Sequence, residues 1–183
     1  HTVPNDLIPV QTFLSLLDDD VIELLVNHTN HYAACKNHLG DMISESELKT
    51  FIVVLLLSGY ISVPRRRMYW EGSHDSHNHL VASSMSRIVL NYTKQPARCD
   101  NEHLDSNDNF AKMRPLLHIL NSKFQEFCPH HEKNSVDDAM VPYFGKHGCK
   151  QFIRAKSIGF GFKLWVSVTS IGYVIWMDSY QGV

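Results

Sequence analysis

Between residues 139 and 177 this chain contains neither Asp nor Glu, although Lys146, Lys150, Arg154, Lys156 and Lys163 all fall inside that stretch. An acid-free run that carries five cations cannot neutralise itself, so it describes a positive surface suited to a polyanion. The formal net charge of the 183 residues is −2, and the acidic excess therefore lies in residues 1–138, which hold a net −6. Paired cysteines are missing too. Cys35, Cys99, Cys128 and Cys149 are scattered and form no C-x-x-C, so neither a zinc ribbon nor a disulfide framework is signalled, and reduced thiols are the simplest reading. Long apolar runs are also lacking: the longest spans residues 51–57, far short of the roughly 20 residues that cross a bilayer. No membrane partner is expected. The N-terminus is polar and opens on His1 rather than Met, so no secretory leader is read there and an internal boundary is expected.

What remains is a globular composition, 44% hydrophobic and 20% charged, enough for one core or two small ones. Ser44 followed by Glu47 makes a capping-box start, and Gly59 supplies a stop, so a buried helix is expected over about residues 45–58. A preceding helix over about 19–36 places Val21, Leu24, Leu25, His28, Tyr32 and Cys35 near one face. Residues 106–127 repeat the helical period, with Phe110, Met113, Leu117, Leu120 and Phe124 as core positions and Cys128-Pro129 as terminator. After residue 134 the period changes to that of strands over 136–143, 160–169 and 173–179, the last two joined by a turn at Ser170-Ile171-Gly172.

Two sets of polar residues invite a metal or phosphate reading. His74, His77 and His79 lie among turn formers with no Cys nearby, so a solvated loop is expected. Arg65-Arg66-Arg67 reads equally as a phosphate contact or as a solvated charge run.

The acidic pair Asp137-Asp138 is less easily set aside, because it stands in an otherwise apolar strand at the entrance to the basic run. A carboxylate there can help hold a divalent cation against a phosphate, since hard cations take oxygen ligands. The sequence around it runs Ser135-Val136-Asp137-Asp138, then Pro142-Tyr143-Phe144-Gly145-Lys146, Lys150-Gln151-Phe152-Ile153, Gly161-Phe162-Lys163-Leu164-Trp165 and Tyr180-Gln181-Gly182. This series resembles the piggyBac transposases and their host-derived relatives, and the resemblance continues upstream through Glu47 to Phe51, Tyr69-Trp70, Asp75 to Asn78 and Ser84 to Arg87.

The resemblance implies an α+β chain: a helical dimerisation and DNA-binding region over 1–130, then the first antiparallel strands of an RNase H-like (DDE transposase) core over 131–183. It implies metal-dependent DNA cleavage and strand transfer, with Mg2+ held by three Asp residues of which Asp137 matches the first. Asp138 stands where the family more often has Glu and is read as a neighbour. Asp178 matches no catalytic position and reads as an exposed strand-end residue. The other two metal-binding positions fall beyond residue 183, so this chain by itself is expected to be inactive, with a domesticated DNA-binding or partner-binding module as the alternative. The implied partner is double-stranded DNA, held by Lys146, Lys150, Arg154, Lys156 and Lys163. A homodimer is left open, no small-molecule substrate is implied, and the nucleus is the implied location. One segment departs from the family: residues 88–99 replace an amphipathic helix, and deleting one nucleotide from plausible codons for that helix reproduces Ile88 to Tyr92, which suggests a compensated frameshift.

Overall fold

The computed structural model describes residues 9–35, 37, 42–61, 63–72, 77–86, 105, 107–128, 133–154 and 156–182. The chain forms two compact units, residues 19–101 and residues 1–18 with 102–183. They do not divide at 130/131, because a helix from the earlier part of the chain packs against the strands that follow it. Residues 88–99 lie outside the described residues, as do His74 and Asp75.

Unit 19–101 is built on helices α2 (Asp19–Cys35) and α3 (Glu45–Tyr60), followed by a 3-10 turn (Arg66–Trp70) and the short α4 (His79–Ser84). Helix α3 begins as the sequence requires. Ser44 Oγ accepts from the Glu47 amide at 3.3 Å, and Glu47 Oε2 accepts from the Ser44 amide at 2.9 Å, satisfying two donors that a helix start leaves open. It runs through Gly59 and ends at Ile61, whose amide bonds Leu57 O. Only Leu48, Phe51 and Val54 are buried on α3, while Val53, Leu55, Leu56 and Tyr60 are exposed. The helix is therefore covered on one face rather than enclosed. On α2 the buried stripe is Val21, Ile22, Leu25, Thr29 and Ala33, which moves Cys35 to the solvent side and leaves His28 and Tyr32 half-buried. Asn30 fixes the incoming loop, donating to Ile43 O at 3.0 Å and accepting from Ile43 N at 2.8 Å. Tyr69, Met85 and Val81 complete this core, and Trp70 Nε1 donates to Met85 O at 2.8 Å.

The other unit holds α1 (Pro9–Leu16), a 3-10 turn (Ala111–Met113), helix α5 (Arg114–Glu126) and strands β1 (Asn134–Pro142), β2 (Gln151–Phe152), β3 (Phe160–Thr169) and β4 (Val174–Ser179). The helix expected over 106–127 forms as α5 preceded by the 3-10 turn, and its apolar residues are half-buried rather than core. All pairings are antiparallel: β3 lies against β1 along one edge and against β4 and β2 along the other. Gly172, at φ +85°, makes the tight turn into β4 that a side chain would disfavour. Gly161 is buried opposite Pro142, where a Cβ would fall inside the Val141 carbonyl.

Helix α5 runs beside β4. Asn121 donates to Met177 O at 2.8 Å and accepts from Met177 N at 2.9 Å, so one amide side chain stands in for a neighbouring strand. Tyr173 Oη donates to Phe124 O at 2.9 Å, and Lys123 pairs with Asp18 just after α1. No helix among the described residues is long and apolar enough to cross a membrane.

Candidate metal and nucleic-acid site

Asp137 and Asp138 are adjacent in β1, and adjacent residues of a strand point to opposite faces of the sheet. Cross-strand register shows where each lies. Asp137 pairs with Val166 and, through it, Met177, whereas Asp138 pairs with Trp165 and, through it, Asp178. Asp137 is exposed, and its Oδ1 accepts from the Asp138 amide at 2.7 Å. Asp138 is half-buried and belongs to Lys156, whose Nζ donates to the Asp138 carbonyl at 2.9 Å and lies 2.8 Å from Oδ2. That hydrogen bond, helped by the charges of Lys156 and Lys163, holds the Asp138 carboxyl below the usual carboxylate range against the opposing effect of burial. The same contact raises the Lys156 ammonium.

The five cations of the acid-free run separate by sheet face. Lys163 is the register partner of Met140 and so shares the face of Asp138, away from Asp137. Its Nζ stands 4.2 Å from the Trp165 ring centre and 5.0 Å from that of Tyr180, a cation held by aromatic faces. Lys156 is committed to Asp138. Lys150 lies on the other side, with Nζ 5.2 Å from the Phe160 ring centre, but Phe160 and Val166 are separated by six residues of β3, about 20 Å at strand rise. Lys146 and Arg154 are exposed on the loops flanking β2, and neither makes an ion pair among the described residues. The structure thus leaves Lys146 and Arg154 exposed, holds half-buried Lys150 against Phe160, and places Lys156 and Lys163 on another face with other partners.

The loop that bears Lys146 is anchored by rings. Tyr143, His147 and Phe110 gather around Phe162, with ring centres 4.7, 5.0 and 5.5 Å from it. Cys149 is buried beneath this loop, and its amide donates to His147 Nδ1 at 3.2 Å. These contacts give the basic loop a defined base.

Asp178 is not the exposed strand end expected of it. It is half-buried and ion-paired with Arg114, which also binds Asp108 through Nε at 2.6 Å. Asp108 in turn accepts from the Phe110 amide at 2.8 Å and from Gln181 Nε2 at 2.8 Å. Burial pushes the Asp108 carboxyl up, but the Arg114 hydrogen bond, the Phe110 amide and the Arg114 charge outweigh it and leave the group below its ordinary value. This network ties residues 108–114 to the end of β4. It has no open carboxylate.

A family profile described as Transposase IS4 matches residues 8–183. Among curated proteins, PiggyBac transposable element-derived protein 3 from Homo sapiens is 46% identical over 98% of this chain and 31% of its own length. PiggyBac transposable element-derived protein 2 from Homo sapiens is 42% identical over 97% of this chain and 30% of its own length. The chain belongs to the piggyBac-type Transposase IS4 family. It spans about a third of the length of these relatives. The fold agrees: a solved piggyBac transposase, in a synaptic complex with hairpin DNA, superposes with a TM-score of 0.82 at 18% identity, covering 97% of this chain and 39% of that one. The piggyBac-type chain is accordingly a mixed assembly of helices and antiparallel strands, as the sequence motifs implied.

A hard divalent cation takes about six or more oxygen ligands, and the described residues of this piggyBac-type chain offer one uncommitted strand carboxylate, Asp137. No group of three or more His, Cys, Asp or Glu that could hold a metal occurs among them. The described residues therefore do not by themselves fit a Mg2+ pair. Sequence reasoning missed the Lys156–Asp138 and Arg114–Asp178 pairs because both join residues distant in the chain. The alternation of strand faces was the available signal that Asp137 and Asp138 cannot point to one ion.

Proposed function

We propose that this chain is the DNA-holding part of a piggyBac-type transposase-derived protein, with strands β1, β3 and β4 opening an RNase H-like core. Asp137 is its metal-facing carboxylate, and Lys146, Lys150 and Arg154 contact the phosphates of double-stranded DNA. The observation that carries the reading is an exposed Asp137 on an outer strand of the same unit that presents exposed Lys146 and Arg154, neither in an ion pair among the described residues. The fold relative, a transposase solved in a synaptic complex with hairpin DNA, supports DNA as the partner. Mg2+ is the metal such a core would use, and the nucleus is where it would act.

A second reading, a DNA-binding module without cleavage, is favoured by the commitment of Asp138 to Lys156 and of Asp178 to Arg114, which leaves Asp137 alone.

Both readings are tested by a mobility shift of the purified chain on duplex DNA, at about 50 and about 200 mM salt, with Mg2+ present. The expected result is retention at low salt, its loss at high salt, and intact DNA throughout. Binding that ignores salt, or none at all, would sink the DNA reading. Cleavage that disappears in Asp137→Asn would overturn the module reading in favour of an enzyme.

A further inference from the structure

Three phenylalanines stand in the open at the end of the sheet where β2 pairs with β3. Phe152 and Phe160 are register partners there, with ring centres 4.5 Å apart and planes 33° from parallel. Both stay largely exposed, at 60% and 52%, and Phe144 in the loop after β1 is 91% exposed. Lys150 joins these parts: its Nζ stands 5.2 Å from the Phe160 ring centre and donates to Gly145 O, next to Phe144, at 3.5 Å. Arg154 and Lys146 are exposed on the flanking loops. Phe160 lies six residues from Val166 on β3, an even number, so the paired rings share the sheet face of Asp137.

Rings and cations mixed in this way suit a particular cover. A packing segment of apolar residues would take the Lys150 ammonium out of water, and residues 139–177 hold no acid to balance it. A nucleotide meets both needs at once, since every base has a π-face and every linkage carries a phosphate. In a duplex the bases present only their edges to the grooves, so a ring can stack only on a base freed from pairing. We propose that Phe152 and Phe160 form a stacking platform for the unpaired bases of a single-stranded DNA extension, with Lys150, Arg154 and Lys146 on its phosphates. The platform rests on the DNA reading above and narrows it: the cations grip DNA of any form, and the aromatic pair selects DNA that carries unpaired bases on the Asp137 face.

The test is fluorescence anisotropy of the intact chain with one duplex, either blunt or extended by a short thymidine overhang, at about 50 mM salt. The overhang is expected to tighten binding roughly fivefold or more. Phe152→Ala abolishes that gain and Phe152→Tyr keeps it, while Tyr60→Ala, in the other unit, changes neither affinity. A fluorescent aminopurine in the overhang reads the stacking directly, quenched by the native chain and by Phe152→Tyr but not by Phe152→Ala. Circular dichroism of each variant checks that the fold is retained. Blunt duplex bound as tightly as the extended one overturns the platform and leaves the DNA reading standing, whereas no binding of either sinks both. A gain that survives Phe152→Ala also overturns the platform. A dimer in sedimentation that Phe152→Ala dissociates, with no gain from the overhang, gives these rings to a second copy of the chain instead.

Discussion

Lys156 reaches the strand that carries Asp137 and holds the next residue by both its carbonyl and its carboxylate. The carboxyl of Asp138 is depressed by that contact, so Lys156→Met should move its titration upward, toward the ordinary value near 3.9. Carboxyl chemical shifts followed against pH measure this, and an unmoved Asp138 would mean that Lys156 does not hold it in solution. Asp108 carries a second pH dependence. Its folded carboxyl is also depressed, so the stability it contributes is present above about pH 3.9 and is lost as the pH falls through the folded value. Arg114 stays charged throughout, because Asp108 and Asp178 raise it further. Asp108→Asn should therefore flatten the acid limb of the stability curve, measured by urea unfolding at several pH values, and an unchanged acid limb would refute the assignment. Asp137 was singled out by its motif. Neither ion-pair partner was, because each pairing depends on strand register and helix packing over 18 or more residues of chain.

Helix and strand positions followed local chemistry closely, since caps, turn glycines and alternation act over a few residues. The start of α3 rests on Ser44, and Ser44→Ala should cost about 1 kcal/mol in urea or thermal unfolding of the unit that contains it. A loss within error of zero would mean that the cap is frayed. The expected strand 160–169 matches β3, and the Ser170-Ile171-Gly172 turn forms with Gly172 at positive φ. Burial was less legible than period. Helix α3 is apolar around much of its circumference, so its sequence suggested enclosure, yet only Leu48, Phe51 and Val54 are buried. Apolar residues at helical spacing say which face can be covered; what covers it is fixed by other elements. The same limit applies to α5, whose Leu117, Leu120 and Phe124 are only half-buried.

The charge asymmetry of the sequence becomes spatial, because the cations Lys146, Lys150 and Arg154 all belong to the unit containing the sheet. Duplex DNA should therefore protect Lys146 and Lys150 from an amine-reactive label, while Lys49, paired with Asp19 in the other unit, reacts as before. Mass spectrometry of labelled peptides reads this directly, and equal protection of Lys49 would place the interface elsewhere. Residues 88–99, the one segment that breaks the family pattern, are tested by sequencing the transcript. Shifted codons for the family helix support the frameshift reading, and no trace of them removes it. Asn121 has a consequence at this scale as well. By occupying both backbone polar groups of Met177 it closes β4 at that residue, whereas β1 has no neighbour on its outer margin among the described residues. Among the described residues, a strand that extends the sheet at β1 docks beside the very peptide that carries Asp137.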